Sequence, residues 1–171
     1  SRKKIVKNIS KIVRQSYVFY GYGEFSNQLK KIMNKNVTEE DDENEIKTKQ
    51  AKSIKREFSN RLIVIDEIHN LRVSTSGLGN VREKKESSKN IEKLALHTDN
   101  LKMMILSATP MFNSHKEIIW LLNILNMNDN RYRISIEEVF DSRGNFLSND
   151  YYSGKDLLIE KATGYVSYVR G

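Results

Sequence analysis

The sequence predicts an α/β fold built around a mostly parallel sheet. Two short, unbroken apolar runs carry that prediction, Leu62–Ile65 and Met103–Leu106, each ending in polar residues as a buried parallel strand does. Segments of helical period alternate with them, which implies a helix-covered sheet. The length, 171 residues without an internal repeat, suits one domain able to bury a core.

The elements follow in order. Ile5, Ile9, Ile12 and Val13 sit at helical spacing among lysines, predicting an amphipathic helix over residues 2–15. Tyr17-Val18-Phe19-Tyr20, closed by Gly21, reads as a short strand. Phe25, Leu29, Ile32 and Met33 restore the helical period from Glu24 to Met33. Residues 34–50 are polar and aperiodic, an expected loop or insertion, with a helix beginning near Lys47 and running to Phe58. After the first strand, residues 73–88 read as a long exposed loop, and Ile91, Leu94 and Ala95 mark a short helix. Beyond the second strand, Ser114 with Glu117 resembles a capping box for a helix whose apolar face is Ile118, Ile119, Leu121, Leu122 and Leu125. The tail carries helical patterns at Val139-Phe140 and Leu157-Leu158-Ile159, then an expected strand over 164–169.

Composition narrows the function classes. There are no cysteines, which excludes a disulfide framework and a thiolate metal site. No apolar run approaches the roughly 20 residues of a membrane-spanning helix, and Ser1-Arg2-Lys3-Lys4 is not followed by the apolar core of a signal peptide. No membrane partner is expected, and the chain is expected to be intracellular and a piece of a longer one. Lys and Arg number 29 against 22 Asp and Glu, yet six of those acids lie between Glu39 and Glu45. Outside that block 29 cations face 16 acids, a surplus of 13 that favours a polyanionic partner, although solvated surface charge explains it equally well. The acidic block itself reads as a mobile loop, since like charges repel and nothing in it can pack.

The chemistry concentrates where the two strands end. In open parallel sheets ligands collect at the carboxyl ends of the strands. The first ends in Asp66-Glu67-Ile68-His69 and the second in Ser107-Ala108-Thr109-Pro110. Two adjacent carboxylates at a strand tip are costly unless a cation joins them to a partner, and Mg²⁺ on a triphosphate supplies one. The acid at the tip, Asp66, then suits the water shell of the ion, and Glu67 suits the orientation and deprotonation of an attacking water. A strand followed by a solvated acidic turn and a surface histidine is the plainer reading of the same residues. Hydroxyls on either side of an alanine can reach a neighbouring strand tip without steric conflict.

Asp66-Glu67-Ile68-His69 after its apolar run resembles motif II, the DExH box, of superfamily 2 helicases and translocases, and Ser107-Ala108-Thr109 is similar to their motif III. Leu62 to Arg72, Ser107 to Asn113 and Gly164 to Gly171 together resemble translocases of large cytoplasmic DNA viruses. These are the poxvirus-type nucleoside triphosphate phosphohydrolase, the early transcription factor ATPases and related giant-virus helicases. Tyr20-Gly21-Tyr22-Gly23-Glu24-Phe25 looks like the segment that touches the nucleic-acid backbone in that group.

The resemblance implies a RecA-like three-layer sandwich, with residues 1–171 forming the back half of a first RecA-like domain and 164–171 opening the link to a second. It implies ATP and Mg²⁺ as cofactors and DNA or RNA as partner. The remainder of the same polypeptide is a further implied partner, as is a viral RNA polymerase or transcription complex, in the virion or host-cell cytoplasm. Asp66 would hold Mg²⁺ through water and Glu67 would act as base. His69, Ser107 and Thr109 would couple hydrolysis to movement, and Tyr20, Gly21, Tyr22 and Gly23 would meet nucleic acid. The chain departs from the family pattern in lacking a phosphate-cradling G-x-x-x-x-G-K-[ST] loop: its one Gly-Lys, Gly154-Lys155, has Asn149 where the first glycine belongs and is followed by Asp156. By itself it is therefore expected to bind ATP weakly and not to hydrolyse it. The alternative is a non-catalytic nucleic-acid-binding or transcription-complex docking domain. His97 and His115 are too scattered for a metal cluster and read as ordinary surface or core histidines.

Overall fold

A computed structural model describes residues 2–71, 81–111 and 114–167, with the backbone alone at 81–85. The chain opens with α1 (Arg2–Ser16), as its apolar spacing predicts, but no residue of this helix is buried. The strand expected at Tyr17–Tyr20 does not form. β-branched and aromatic residues favour a strand only when a neighbouring strand accepts the ladder, and none does, so Val18 and Phe19 remain more than 70% exposed. α2 (Tyr22–Asn34) starts after Gly21, whose N–H donates to the Glu24 carboxylate at 3.4 Å, and it buries Leu29 and Met33.

The expected loop over 34–50 is shorter than its polarity suggests, because α3 spans Glu43–Phe58. Asp42 caps it: the carboxylate accepts from the N–H groups of Asn44 and Glu45 at 2.8 Å, and the Glu45 carboxylate accepts from the Asp42 N–H at 3.0 Å. Acids that would repel one another in a loop are stabilised at the positive end of a helix dipole. The acidic block is thus half connector and half first turn, rather than a mobile loop.

β1 (Leu62–Ile65) and β2 (Lys102–Ile105) pair in parallel, with Ile63 opposite Met103 and Ile65 opposite Ile105. Between them lie a single 3-10 turn at Ile68–Leu71 and α4 (Val81–His97). The loop expected over 73–88 is corrected by α4, which takes its last eight residues; residues 73–80 lie outside the described residues. Arg82 to Glu86 are good helix formers, and the apolar period beginning only at Ile91 hides the start of the helix. Ser87, in its middle, is buried and shares a hydrogen bond with Ser26 of α2 at 2.8 Å.

Ile63, Ile65, Met103 and Ile105 form one face of the two-stranded sheet and pack on a core centred on Leu29, Ile54, Ile68, Leu94 and Ile124. The other face is open, with Leu62, Val64 and Met104 each at least half exposed. The expectation of buried strands in a helix-covered sheet is therefore met on one side only among the described residues. The described residues build a mixed helix and strand fold with a small parallel sheet, compatible with an α/β class.

α5 (Glu117–Asn128) runs through the interior, burying Ile119, Leu121, Leu122, Ile124 and Met127. Ser114 does not cap it directly. Its carbonyl accepts from the Glu117 N–H at 3.0 Å and its hydroxyl from the Lys116 N–H at 3.2 Å, a turn that delays the helix. Behind α5 a second small core gathers Ile119, Ile134, Val139 and Phe140. It is closed by α6 (Ile136–Val139), a two-residue antiparallel hairpin of β3 (Ser148–Asn149) with β4 (Tyr152–Ser153), and α7 (Gly154–Ala162). Gly154 belongs to packing: a Cβ there would lie 2.2 Å from the Val139 carbonyl oxygen. The strand expected over 164–169 is absent at 164–167, and 168–171 lie outside the described residues. Here Tyr165 donates its hydroxyl to Asp129 at 2.7 Å instead of joining a sheet. No helix among the described residues is long and apolar enough to cross a membrane.

Candidate functional site

Parallel pairing sets the two strand ends side by side. The Leu106 N–H donates to the Ile65 carbonyl at 2.8 Å, and the chain then turns across the end of β2, where the Ile68 N–H donates to the Leu106 carbonyl at 3.2 Å. The turn is made at Glu67, whose φ is +52°. Asn60, Asn100 and Asn130 are the other described non-glycine residues at positive φ, and asparagine tolerates that region; a glutamate there is strained. Such strain persists where the surrounding structure enforces it, and it clusters at functional sites.

The turn delivers the His69 ring to the tip of β2. Its Nδ1 lies 3.1 Å from Glu67 Oε2, 3.3 Å from Ser107 Oγ and 3.4 Å from Thr109 Oγ1. Ser107 Oγ in turn accepts from the Thr109 N–H at 3.1 Å, which fixes the hydroxyl pair. One ring nitrogen offers one proton or one lone pair, so these three groups compete for it. The carboxylate is nearest, while both hydroxyls sit at the long edge of hydrogen-bonding distance. The histidine is thus a junction that can trade an acid partner on one strand tip for a hydroxyl on the other.

Asp66 and Glu67 are exposed, and among the described residues neither pairs with a lysine or arginine. Tyr22, the first residue of α2, reaches the same place and donates its hydroxyl to the Asp66 carbonyl. Burial, then the neighbouring Asp66 and Glu67 carboxylates, push its phenol above the usual value. Among the described residues no group of three or more His, Cys, Asp or Glu could cage a metal ion. An exposed carboxylate pair with no lysine or arginine partner among the described residues does fit Mg²⁺, which takes one or two carboxylates and fills its shell with water and ligand phosphates.

Of the nucleic-acid candidates, Tyr22 is thus a brace under the acidic turn. Tyr20 is 44% exposed and packs on the Phe25 ring at 5.8 Å. Gly21 and Gly23 lie in the open, where an added Cβ would meet nothing within 4 Å. The brace is the feature that sequence reading missed, because a tyrosine 44 residues upstream carries no signal of which carbonyl it meets. His115 packs edge-on against Phe140 at 4.6 Å, and partial burial, helped by Lys93, holds His97 below the usual histidine range. Neither approaches the strand tips. Two shallow grooves beside α3 and α4, sharing Ala51 and His97, are likewise separate from them.

No protein-family model matches the chain. No solved structure matches it. It is similar to two curated proteins of Acanthamoeba polyphaga mimivirus. With "Putative ATP-dependent RNA helicase L377" it shares 29% identity over 184 aligned residues, 99% of this chain and 15% of that protein. With "Putative ATP-dependent RNA helicase R563" it shares 27% over 173 residues, 99% of this chain and 25% of that protein. The chain is therefore distantly related, along nearly its whole length, to helicase-named proteins of which it spans a quarter or less.

Proposed function

We propose that the chain is part of a nucleic-acid-dependent ATPase of the superfamily 2 DExH type, a helicase or translocase that converts ATP hydrolysis into movement along DNA or RNA. The observation that carries the reading is the His69 ring held between the Glu67 carboxylate on one strand tip and the Ser107 and Thr109 hydroxyls on the other. The names of the two mimivirus relatives support it, as does the resemblance to the poxvirus-type group.

In this mechanism Asp66 would hold Mg²⁺, and the ion would supply charge neutralisation at the phosphates. A phosphate cradle of the G-x-x-x-x-G-K-[ST] kind is not part of this sequence. Glu67 orients a water and takes its proton as the oxygen bonds to the γ-phosphorus and the bond to the ADP oxygen breaks. A protonated or water-engaged Glu67 is a weaker partner for His69, whose Nδ1 then turns to Ser107 and Thr109. Those hydroxyls begin the segment that follows β2, so the state of the nucleotide is passed to that segment through one ring nitrogen.

The test is Glu67→Gln in the complete gene product. Losing a general base lowers turnover by about 10²–10⁴-fold, while ATP binding, followed with a fluorescent analogue, should survive because Asp66 is intact. Wild-type hydrolysis by this variant would remove Glu67 from the mechanism.

A further inference from the structure

The helix α1 is built in a way that its own stability does not explain. Residues 2–16 carry Arg2, Lys3, Lys4, Lys7, Lys11 and Arg14 and no acid at all. Three of these cations occupy the first turn, at the positive end of the helix dipole, where they are unfavourable. Lys3 and Lys7, then Lys7 and Lys11, are like charges at i,i+4, which also destabilises a helix. None has an acidic partner among the described residues. α3 shows the opposite design in the same chain, with Glu43 and Glu45 in its first turn and Lys55 and Arg56 in its last. Both faults of α1 vanish if a polyanion lies along it.

At 3.6 residues per turn, Lys3, Lys4, Lys7, Lys11 and Arg14 fall within an arc of about 100°, and Ile5, Val6, Ile9, Ile12 and Val13 fall in an arc of similar width on the opposite side. The flanks between the arcs hold Asn8, Ser10 and Gln15, all uncharged. A helix with this division of faces also suits an anionic lipid surface, and the helicase names of the two mimivirus relatives favour nucleic acid over lipid. The five stripe cations point away from the apolar face, while Arg2, the first residue of the helix, falls on the apolar side. From Lys3 to Arg14 the stripe runs about 16 Å, with axial steps of about 1.5, 4.5, 6 and 4.5 Å, a line of charge that can follow a phosphate backbone.

We propose that the basic stripe of α1, Lys3, Lys4, Lys7, Lys11 and Arg14, is a phosphate-backbone contact for a nucleic-acid strand. The inference rests on the nucleic-acid-dependent reading of the strand-tip site and adds the surface that holds the strand. Binding through it is electrostatic and indifferent to base sequence, since no base-reading side chain lies within the stripe.

The experiment compares three forms of the whole chain: wild type, a stripe variant with all five cations changed to Gln, and a control with five exposed cations elsewhere (Lys35, Lys47, Lys52, Arg56 and Lys155) changed to Gln. Gln keeps helix propensity, α1 buries nothing, and the lost charges repelled one another, so circular dichroism and the unfolding midpoint should stay at or slightly above wild type. Anisotropy of fluorescein-labelled oligo(U) and oligo(dT) is read between about 50 and 200 mM salt. The stripe variant should bind at least about tenfold more weakly at the low-salt end, and its slope of log affinity on log salt should fall by about 3.5, near 0.7 per lost contact. The control should lose far less. An equal response to oligo(U) and oligo(dT) assigns the contact to phosphate, and a loss confined to one assigns it to a strand of that sugar. Equal losses in stripe and control variants would reduce the stripe to generic charge and overturn the inference. So would an unchanged stripe variant, or a wild-type chain that binds neither oligonucleotide; either leaves standing the strand-tip reading, which Glu67→Gln tests in the complete gene product. Vesicles of phosphatidylcholine with phosphatidylserine form the last arm. Vesicle binding lost in the stripe variant, with oligonucleotide affinity kept, would make α1 a lipid-surface helix instead.

Discussion

Glu67 combines a strained backbone with a side chain aimed at its own neighbour. Its φ of +52° costs a non-glycine residue roughly 1–2 kcal/mol, an expense that glycine avoids. Comparing two truncations isolates that cost, because both remove the carboxylate. Glu67→Gly should be more stable to urea than Glu67→Ala by about 0.5–1 kcal/mol, after allowance for the greater flexibility of glycine in the unfolded chain. Equal stabilities would mean that the turn relaxes and holds no strain. The identity of the strand-tip residues was readable from the sequence, since carboxylates, imidazole and hydroxyls after two apolar runs are few and conspicuous. Their convergence on a single ring nitrogen was not, nor was the Tyr22 brace, because both depend on how α2 and the turn pack.

At the scale of elements, helix ends explain the largest differences between expectation and structure. The acidic run beginning at Glu39 reads as repulsive only until Asp42 is recognised as a cap, after which Glu43 and Glu45 lie in the first turn of α3. Asp42→Ala should cost about 1 kcal/mol, measured by urea unfolding, and lower the midpoint temperature by about 2–4 °C. Asp41, one residue earlier, gains a hydrogen bond from Lys49 and another from the Thr38 N–H, which hold its carboxyl below the ordinary 3.8. A depressed carboxyl contributes stability that is fully present above the ordinary value and is lost as pH falls through the folded one. Wild type should therefore exceed Asp41→Asn at neutral pH, and the gap should close as the pH drops below 3.8; a gap that persists in strong acid would assign it to packing. The run at Tyr17–Tyr20 failed as a strand for the complementary reason. Propensity was present, but no edge accepted it.

For the molecule as a whole, the parallel pair β1–β2 matters less as a sheet than as a means of setting two strand tips together. One of its faces is covered by the main core and the other is open, and the tips lie where the Ile65 and Leu106 backbones meet. The central claim is that His69 links Glu67 on one tip to the hydroxyls on the other and so ties hydrolysis to movement. Ser107→Ala with Thr109→Ala, in the complete gene product, tests it most directly. Each hydrogen bond is worth only about 0.5–1.5 kcal/mol, too little to unfold the domain and enough to unbalance a coupling step. Basal ATP hydrolysis and nucleic-acid strand displacement are measured side by side against wild type. The account predicts that hydrolysis is largely kept while displacement falls several-fold further; a proportional fall in both would show that the two hydroxyls only support the fold.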